Sequence, residues 1–470
     1  MVVGEFTEQA DLVVIGGGPG GYVAALRAAQ LGRQVTLVER AALGGICLNV
    51  GCIPSKALIS VSDEFHRIGA GVERGIQVKE AAIDMTGVQR FKRGVVDKLT
   101  SGVAGLLKNA QVAVVDGEAR FVGPQQLRVV SEYESKKIEF KDAIIATGSR
   151  PRELDGVVID GRVVLGSTEL LALERVPEHL VVIGGGYIGL ELGTAFRKFG
   201  SRVTVLEATG QLLSGTDPAL VRIVERRLKA LGIDTHLNAR IEGVTMQGNQ
   251  ASIRMAQDSE PIHADAVLVT VGRVPNTDAI DLAEAGIAPD QRGYVAVDEY
   301  LMTANPHVAA IGDITPGPML AHKASYQAKI AAEHLCGQPS AADAVVVPAV
   351  IFTDPELASV GLTEHDARER GLDVVVGRFS FQANGRALSL GSAFGEAIVV
   401  AERNSGLLLG VHVAGPEASS LIAEGALAVE MGATLEDLAL TIHAHPTLPE
   451  AIMEAAEAAL GRPIHSIRRS

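Results

Sequence analysis

The stretch DLVVIGGGPGGYVAALRAAQLGRQVTLVER, from Asp11 to Arg40, reappears without a gap as HLVVIGGGYIGLELGTAFRKFGSRVTVLEA, from His179 to Ala208, an offset of 179 − 11 = 168 residues. Each copy opens with an apolar run of strand type and passes through Gly-x-Gly-x-x-Gly, at Gly16, Gly18 and Gly21 or at Gly184, Gly186 and Gly189. Helical periodicity follows as far as Gly32 or Gly200, and then VTLVE or VTVLE reads as a second strand, so each copy is a β-α-β unit. The three glycines allow a tight turn, close approach of a pyrophosphate to the backbone, and packing of helix on strand. The helix N-terminus adds unpaired N–H groups and partial positive charge for the phosphates. One such glycine pattern is a weak signal. Here both copies follow a strand and end in an acid at the same spacing, 39 − 21 = 18 and 207 − 189 = 18. Glu39 and Glu207 would accept hydrogen bonds from an adenosine ribose, and an acid there repels a 2′-phosphate, so the second site is expected to prefer NAD to NADP. Two dinucleotide sites in one chain are what hydride transfer between a nicotinamide and a flavin needs.

Bulk properties agree with a large soluble enzyme. At 470 residues the chain exceeds what one hydrophobic core usually holds, and 47% hydrophobic with 21% charged residues excludes a disordered or collagen-like class. The net charge of −14 and the lack of any Lys/Arg block argue against nucleic acid or an anionic membrane as a partner. Apolar runs such as Ala344–Phe352 fall short of the about 18 residues that a membrane span needs. The N-terminal MVVGEFTEQADLVVIGGG has acidic residues and no basic region, so no leader peptide is expected and a cytoplasmic location is the default. Further along, AIIATGSRP (Ala143–Pro151) and VLVTVGRVPN (Val267–Asn276) read as strands running into glycine turns that mark crossings between domains. TANPHVAAIGD (Thr303–Asp313) delivers Gly312 and Asp313 to another turn, and from Val345 the texture becomes that of an α+β domain.

GGICLNVGCIPSK, Gly44 to Lys56, holds two of the only three cysteines. Structural zinc wants four ligands, and no second Cys or Cys/His cluster is nearby, so no metal is expected. An inert buried pair is the other plain reading. The setting, after a Gly-Gly turn and close to a dinucleotide unit, favours a redox-active pair, with a local helical turn lowering a thiol pKa. Cys336 reads as a small residue at a helix end.

The Gly44–Lys56 motif resembles the active-site motif of the class I pyridine nucleotide-disulfide oxidoreductases, and its Leu-Asn-Val-Gly-Cys-Ile-Pro-Ser-Lys form is most similar to that of the members that oxidise dihydrolipoamide. The likeness runs through nearly the whole chain: the glycine fingerprints, ATG at Ala146, Thr147 and Gly148, GD at Gly312, PMLAHKAS from Pro318, and HAHPTLPE from His443 to Glu450. The resemblance implies an α/β protein with two Rossmann-like dinucleotide-binding domains and an α+β C-terminal dimerisation domain. The expected divisions are 1–150 for FAD and the redox disulfide, 151–275 for NAD, 276–344 for a central domain completing the FAD site, and 345–470 for the interface. It implies that FAD lies on Gly16, Gly18, Gly21, Glu39, Lys56, Ala146, Thr147, Gly148, Asp313, Met319, Ala321 and His322, and NAD on Gly184, Gly186, Tyr187, Gly189, Glu207 and Gly272. Cys47 would be the interchange thiol, Cys52 the thiolate against the flavin, and Lys56 would sit near flavin N5 and pair with Glu191.

A His-Pro loop is usually structural. A dithiol must lose a proton before it attacks a disulfide, however, and imidazole with an adjacent carboxylate suits that task, so His445 and Glu450 are the expected base and orienter. In the resembling family this pair comes from the partner subunit of a homodimer. The implied activity is FAD-dependent oxidation of protein-bound dihydrolipoamide with reduction of NAD, the lipoyl group being borne by an acyltransferase or carrier protein of a 2-oxo acid dehydrogenase or glycine cleavage complex. Ile46, Pro449 and Gln327 depart from the family pattern without removing a catalytic group. A glutathione reductase-like member would want an Arg cluster where Glu207 stands, and a mercuric reductase-like one a further cysteine pair after Cys336. A non-turnover flavoprotein redox sensor would not need His445 and Glu450 beside the cysteines.

Overall fold

Both glycine-rich repeats fold as β-α-β units, the first within the parallel part of a mixed sheet and the second at the centre of a parallel sheet, in a computed structural model that describes residues 7–256 and 260–467. Residues 1–6, on which part of the leader-peptide expectation falls, lie outside the described residues. In the first unit the strand Thr7–Ile15 leads into the helix Pro19–Gln30 and the strand Val35–Glu39; in the second, His179–Ile183 leads into Tyr187–Phe199 and Arg202–Leu206. Leu12 to Ile15 and His179 to Ile183 are buried throughout. A central parallel strand is covered on both faces, which is why these read as continuous apolar runs without alternation.

The first sheet runs in the order Ala113–Asp116, Val35–Glu39, Thr7–Ile15, Ser135–Ile145, Gln126–Val130, Glu118–Gly123, and the strand Val308–Ala310 pairs in parallel with Ser135–Ile145. The second runs Ile233–His236, Arg202–Leu206, His179–Ile183, Ala266–Val269, Val164–Leu165, all parallel. Between them Ser149–Pro151 and Arg273–Pro275, the ends of the two glycine-turn segments, pair antiparallel. The segment 276–344, expected as a central domain completing the first site, packs on the first unit. Its one regular strand, Val308–Ala310, is three residues long and joins the first sheet, and its helix Ala321–Leu335 packs on Pro19–Gln30. The C-terminal part is a five-stranded antiparallel sheet, Ala349–Ile351, Glu356–Gly361, Leu408–Gly415, Glu396–Glu402 and Val374–Ser380, covered by the helices Ala418–Glu430 and Glu450–Ala459.

The helix Cys52–Ala70 connects these parts. It packs on Met85–Asn109 of its own unit and on Tyr187–Phe199 of the second. Contrary to the expectation that every apolar stretch is too short, Gly45–Arg74 is long and apolar enough by length and composition to cross a bilayer. It is broken at Val50 and Gly51, and its apolarity is used against the two neighbouring helices. At its far end Lys198 Nζ, buried, bridges Asp63 Oδ1 at 2.6 Å and Asp354 Oδ2 at 2.8 Å, and Arg227 reaches the same Asp354 at 3.0 Å. Asp354 is half-buried, but those two cations outweigh the burial and hold its carboxyl down at about 2. The first unit, the second unit and the C-terminal sheet thus meet at one charge network.

Candidate active site

The two glycine loops are built alike. Gly16 and Gly184 have φ of +103° and +107°, and a Cβ on either would stand 2.4 Å from a carbonyl oxygen, that of Ala146 or Thr270. Gly21 and Gly189 are pressed onto the carbonyls of Gly16 and Gly184. Gly18 and Gly186 differ. Each caps a helix N-terminus in an extended conformation open to any residue, and a Cβ there would meet only Gly45 Cα at 3.9 Å, or nothing within 4 Å. These two positions leave space beside free helix N–H groups, the cradle that a pyrophosphate needs. The acids close both loops the same way: Glu39 Oε2 accepts from Gly17 N at 2.6 Å and Glu207 Oε2 from Gly185 N at 2.7 Å. Residues of both units therefore fit a dinucleotide.

A cleft of about 440 Å³ starts at Gly16, Gly18 and Glu39 and runs past both cysteines to the second unit. Ala146, Thr147, Gly148, Asp313, Met319 and Ala321 line it, with Lys56, Tyr187 and Glu191 at its inner end. His322 is not on its wall; its Nε2 lies 2.7 Å from the Pro348 carbonyl, on the outward side of the helix Ala321–Leu335. Gly272, with φ of +113°, turns the chain just before Arg273. Ser149, Arg273 and Asn276 also line the wall, and the sequence did not single them out as site residues. Ser149 Oγ donates to Asp313 Oδ2 at 2.5 Å and accepts from Arg273 Nε at 2.8 Å; Thr147 and Asn276 exchange two hydrogen bonds at 2.7 and 2.9 Å. Gln327, where the family often has an acid, uses its carbonyl oxygen to accept from Gly312 N at 2.8 Å, so an amide serves as well as a carboxylate at that acceptor position.

Gly44 and Gly45, both at positive φ, fold the cysteine turn against the first glycine loop, where a Cβ on Gly45 would lie 2.7 Å from Gly18 Cα. Cys47 sits in the short helix Gly45–Asn49 and Cys52 is the first residue of Cys52–Ala70. The two are unbridged, and their thiols interact directly. The pair is asymmetric. Hydrogen bonding from Cys47, helped by the charge of Lys56, brings the Cys52 thiol down to about 7 against the cost of burial, and the same contact with burial pushes Cys47 well above the usual thiol range. The helix N-terminus at Cys52 acts in the same direction. One turn on, Lys56 Nζ bonds Glu191 Oε2 at 2.8 Å and lies 4.5 Å from the centre of the Phe352 ring; Glu191, buried, accepts from Phe352 N at 2.8 Å. A redox helix, the second dinucleotide helix and the C-terminal sheet are thus joined beside the thiolate.

His445 and Glu450 form a pair outside that cleft. His445 Nδ1 is 2.9 Å from Glu450 Oε1, and Glu450 Oε2 accepts from Thr447 N at 2.7 Å. Burial acts to raise Glu450, but the Thr447 amide and His445 outweigh it and keep the carboxyl below its ordinary range. The His445 side chain is 80% exposed, and its Nε2 has no hydrogen-bond partner among the described residues. His445 is not among the described residues that line the cleft with Cys47.

Family models match residues 10–328 as pyridine nucleotide-disulphide oxidoreductase and 347–456 as the dimerisation domain of the same group. The chain belongs to the pyridine nucleotide-disulphide oxidoreductase family. As a member it is an NAD-dependent flavoprotein disulfide oxidoreductase whose cofactors are FAD and NAD. It is 51% identical to a dihydrolipoyl dehydrogenase of Geobacillus stearothermophilus and 50% identical to one of Bacillus subtilis, in both cases over 100% of each chain, and 48% identical to one of Haloferax volcanii. Among solved structures, LpdA of Mycobacterium tuberculosis superposes with a TM-score of 0.90 at 28% identity, covering 95% of this chain and 99% of that one. An HOCl-induced flavoprotein disulfide reductase of Escherichia coli gives 0.86 at 29% over 95% and 99%. The family's dimerisation domain in the C-terminal part supports a homodimer.

Proposed function

We propose that the protein oxidises protein-bound dihydrolipoamide to lipoamide and passes the electron pair to NAD. The observation that carries this reading is the unequal thiol pair lining a dinucleotide cleft, in a chain similar over its full length to dihydrolipoyl dehydrogenases. In the oxidised protein Cys47 and Cys52 are joined as a disulfide. His445 Nε2 takes the proton of one substrate thiol while Glu450 holds Nδ1–H, and the substrate sulfur attacks Cys47 Sγ. The Cys47–Cys52 bond breaks and its electron pair leaves on Cys52, the better leaving group because it is the more acidic thiol. The second substrate sulfur, losing its own proton, attacks the first; lipoamide forms and Cys47 leaves with its electron pair and gains a proton. FAD, when bound, supplies the two-electron step that returns the dithiol to the disulfide and delivers a hydride to NAD. The chain's own part in that step is to hold Cys52 as a thiolate beside Lys56 and Glu191, to carry the pyrophosphates on Gly18 and Gly186, and to place Tyr187 between the two cofactor sites.

The lipoyl group belongs to an acyltransferase or carrier protein, and the enzyme works in the cytoplasm as a homodimer in which His445 and Glu450 serve the partner's cysteines. Its domains are 1–150, 151–275, 276–344 and 345–470 in function, the third acting as part of the FAD site into which it is folded. The test is NADH formation from dihydrolipoamide by the purified, FAD-loaded protein, with NADP and glutathione disulfide assayed in parallel. Turnover with dihydrolipoamide and NAD far above the other two is expected. Reduction of glutathione disulfide without dihydrolipoamide oxidation would move the reading to another reductase of the family, and no turnover with any of them to a redox sensor.

A further inference from the structure

The loop that carries His445 holds a second histidine–carboxylate pair that the reaction above does not use. His443 Nε2 lies 2.7 Å from Glu424 Oε1, and its Nδ1 lies 2.9 Å from the carbonyl oxygen of Thr441. A carbonyl oxygen and an ionised carboxylate are acceptors only, so each ring nitrogen must donate, and only the imidazolium has two N–H groups. The side chain is 6% exposed, which leaves little room for water to take either place. We propose that His443 is a positioning residue for His445: a buried imidazolium that ties the loop before His445 to the helix Ala418–Glu430 and so fixes where the base stands.

The proposal rests on the reading of His445 and Glu450 as the base pair. It differs from that pair in chemistry, since His443 has no nitrogen left to accept a proton, whereas His445 keeps Nε2 open. The charged groups facing His443 are Glu424 from Ala418–Glu430 and Glu450 from Glu450–Ala459, and both favour the cation. On the other side of His445 the loop is pinned by Asn384 Nδ2, which donates to the Thr447 carbonyl at 3.0 Å. His445 therefore stands between two anchors, one neutral and one charged.

The charged anchor titrates. The hydrogen bond to Glu424, against the opposing effect of burial, raises His443 above its ordinary value of 6.5. A group raised on folding gives its full stabilisation at low pH and loses it as pH rises through the raised value. Above that point one ring nitrogen faces an acceptor with no hydrogen between them.

Ring ¹⁵N NMR of the wild-type holoenzyme at neutral pH should find both His443 nitrogens protonated; one bare nitrogen overturns the proposal. This arm is independent of the base reading, which falls by itself if His445→Gln keeps full dihydrolipoamide turnover. In steady-state kinetics His443→Gln should lower kcat for dihydrolipoamide roughly tenfold or more, the loss that follows from a hydrogen bond to a charged group, with KM little changed. The NADH-reducible Cys47–Cys52 pair should be retained in that variant. Glu424→Gln keeps an acceptor oxygen and removes the charge, so it should shift the alkaline limb of kcat/KM to lower pH. Wild-type rates in His443→Gln together with an unmoved limb in Glu424→Gln would mean that the side chain only packs.

Discussion

At the scale of single residues, two cysteines five positions apart are given different chemistry by what each touches. Cys52 has a helix N-terminus, the Cys47 S–H and Lys56 on its side, while Cys47 faces the thiolate so formed. Cys47→Ser and Cys52→Ser should both abolish dihydrolipoamide turnover but differ in colour. With Cys47 removed, Cys52 remains a thiolate beside the oxidised flavin and gives a long-wavelength charge-transfer absorption; with Cys52 removed, that absorption should vanish. The opposite pattern would exchange their roles. Lys56→Met takes away one of the influences that lower Cys52, so the thiolate signal of the reduced protein, which titrates at about 7, should move to higher pH; an unmoved titration would remove the Lys56 charge from the causes. The cysteines were legible because sulfur is scarce and their turn is rich in glycine. Lys56 and Glu191 were legible only through the family likeness, since 135 residues separate them and a lysine in a helix is ordinarily solvated. Ser149, Arg273 and Asn276 were not singled out as site residues: Ser149 and Arg273 belong to an antiparallel pairing of two three-residue strands that no periodicity announces, and Asn276 directly follows it.

At the scale of elements, the repeated β-α-β unit shows which glycines a fold requires and which a ligand requires. Gly16→Ala would force a Cβ to 2.4 Å from the Ala146 carbonyl at a φ of +103°, a conflict of backbone with backbone. Gly186 has φ of −77° and open space at its Cβ, so Gly186→Val leaves the chain free to fold. That variant should keep its FAD and its melting temperature while KM for NAD rises at least tenfold, read from NADH formation at saturating dihydrolipoamide. A wild-type KM would mean that the nucleotide does not lie across that helix terminus. The repeat was legible from the sequence because strand, glycines, helix and acid recur at one spacing. The fate of 276–344 was not: a strand of three residues, Val308–Ala310, carries too little pattern to reveal that it pairs with Ser135–Ile145 rather than with a sheet of its own.

At the scale of the whole molecule, the cleft holding the cysteines and the loop holding His445 are on different parts of one chain, and the surface around that loop is apolar. Ile442, next to His443, is 97% exposed, and Leu440, Met431 and Leu427 stand out of the same C-terminal domain. A patch of that kind on the family's dimerisation domain fits contact with a second copy, and the function proposed above requires that the two-fold dimer bring the His445 of each subunit to the Cys47 of the other. His445→Gln should then bind FAD and accept electrons from NADH normally while dihydrolipoamide turnover drops by roughly the 10²–10⁴ that a general base contributes. Cys47→Ser should be inactive for a different reason, having the base without the interchange thiol. Mixing the two inactive proteins under conditions of subunit exchange makes about half the dimers mixed, and each of those has one site with both wild-type groups. Activity should therefore return, to roughly a quarter of the wild-type rate per site when exchange is complete, since half of the dimers have one working site of two. If exchange is shown by mass and the mixture stays as inactive as its parents, His445 does not act across the interface, and the exposed loop would have to be explained by something other than a shared active site.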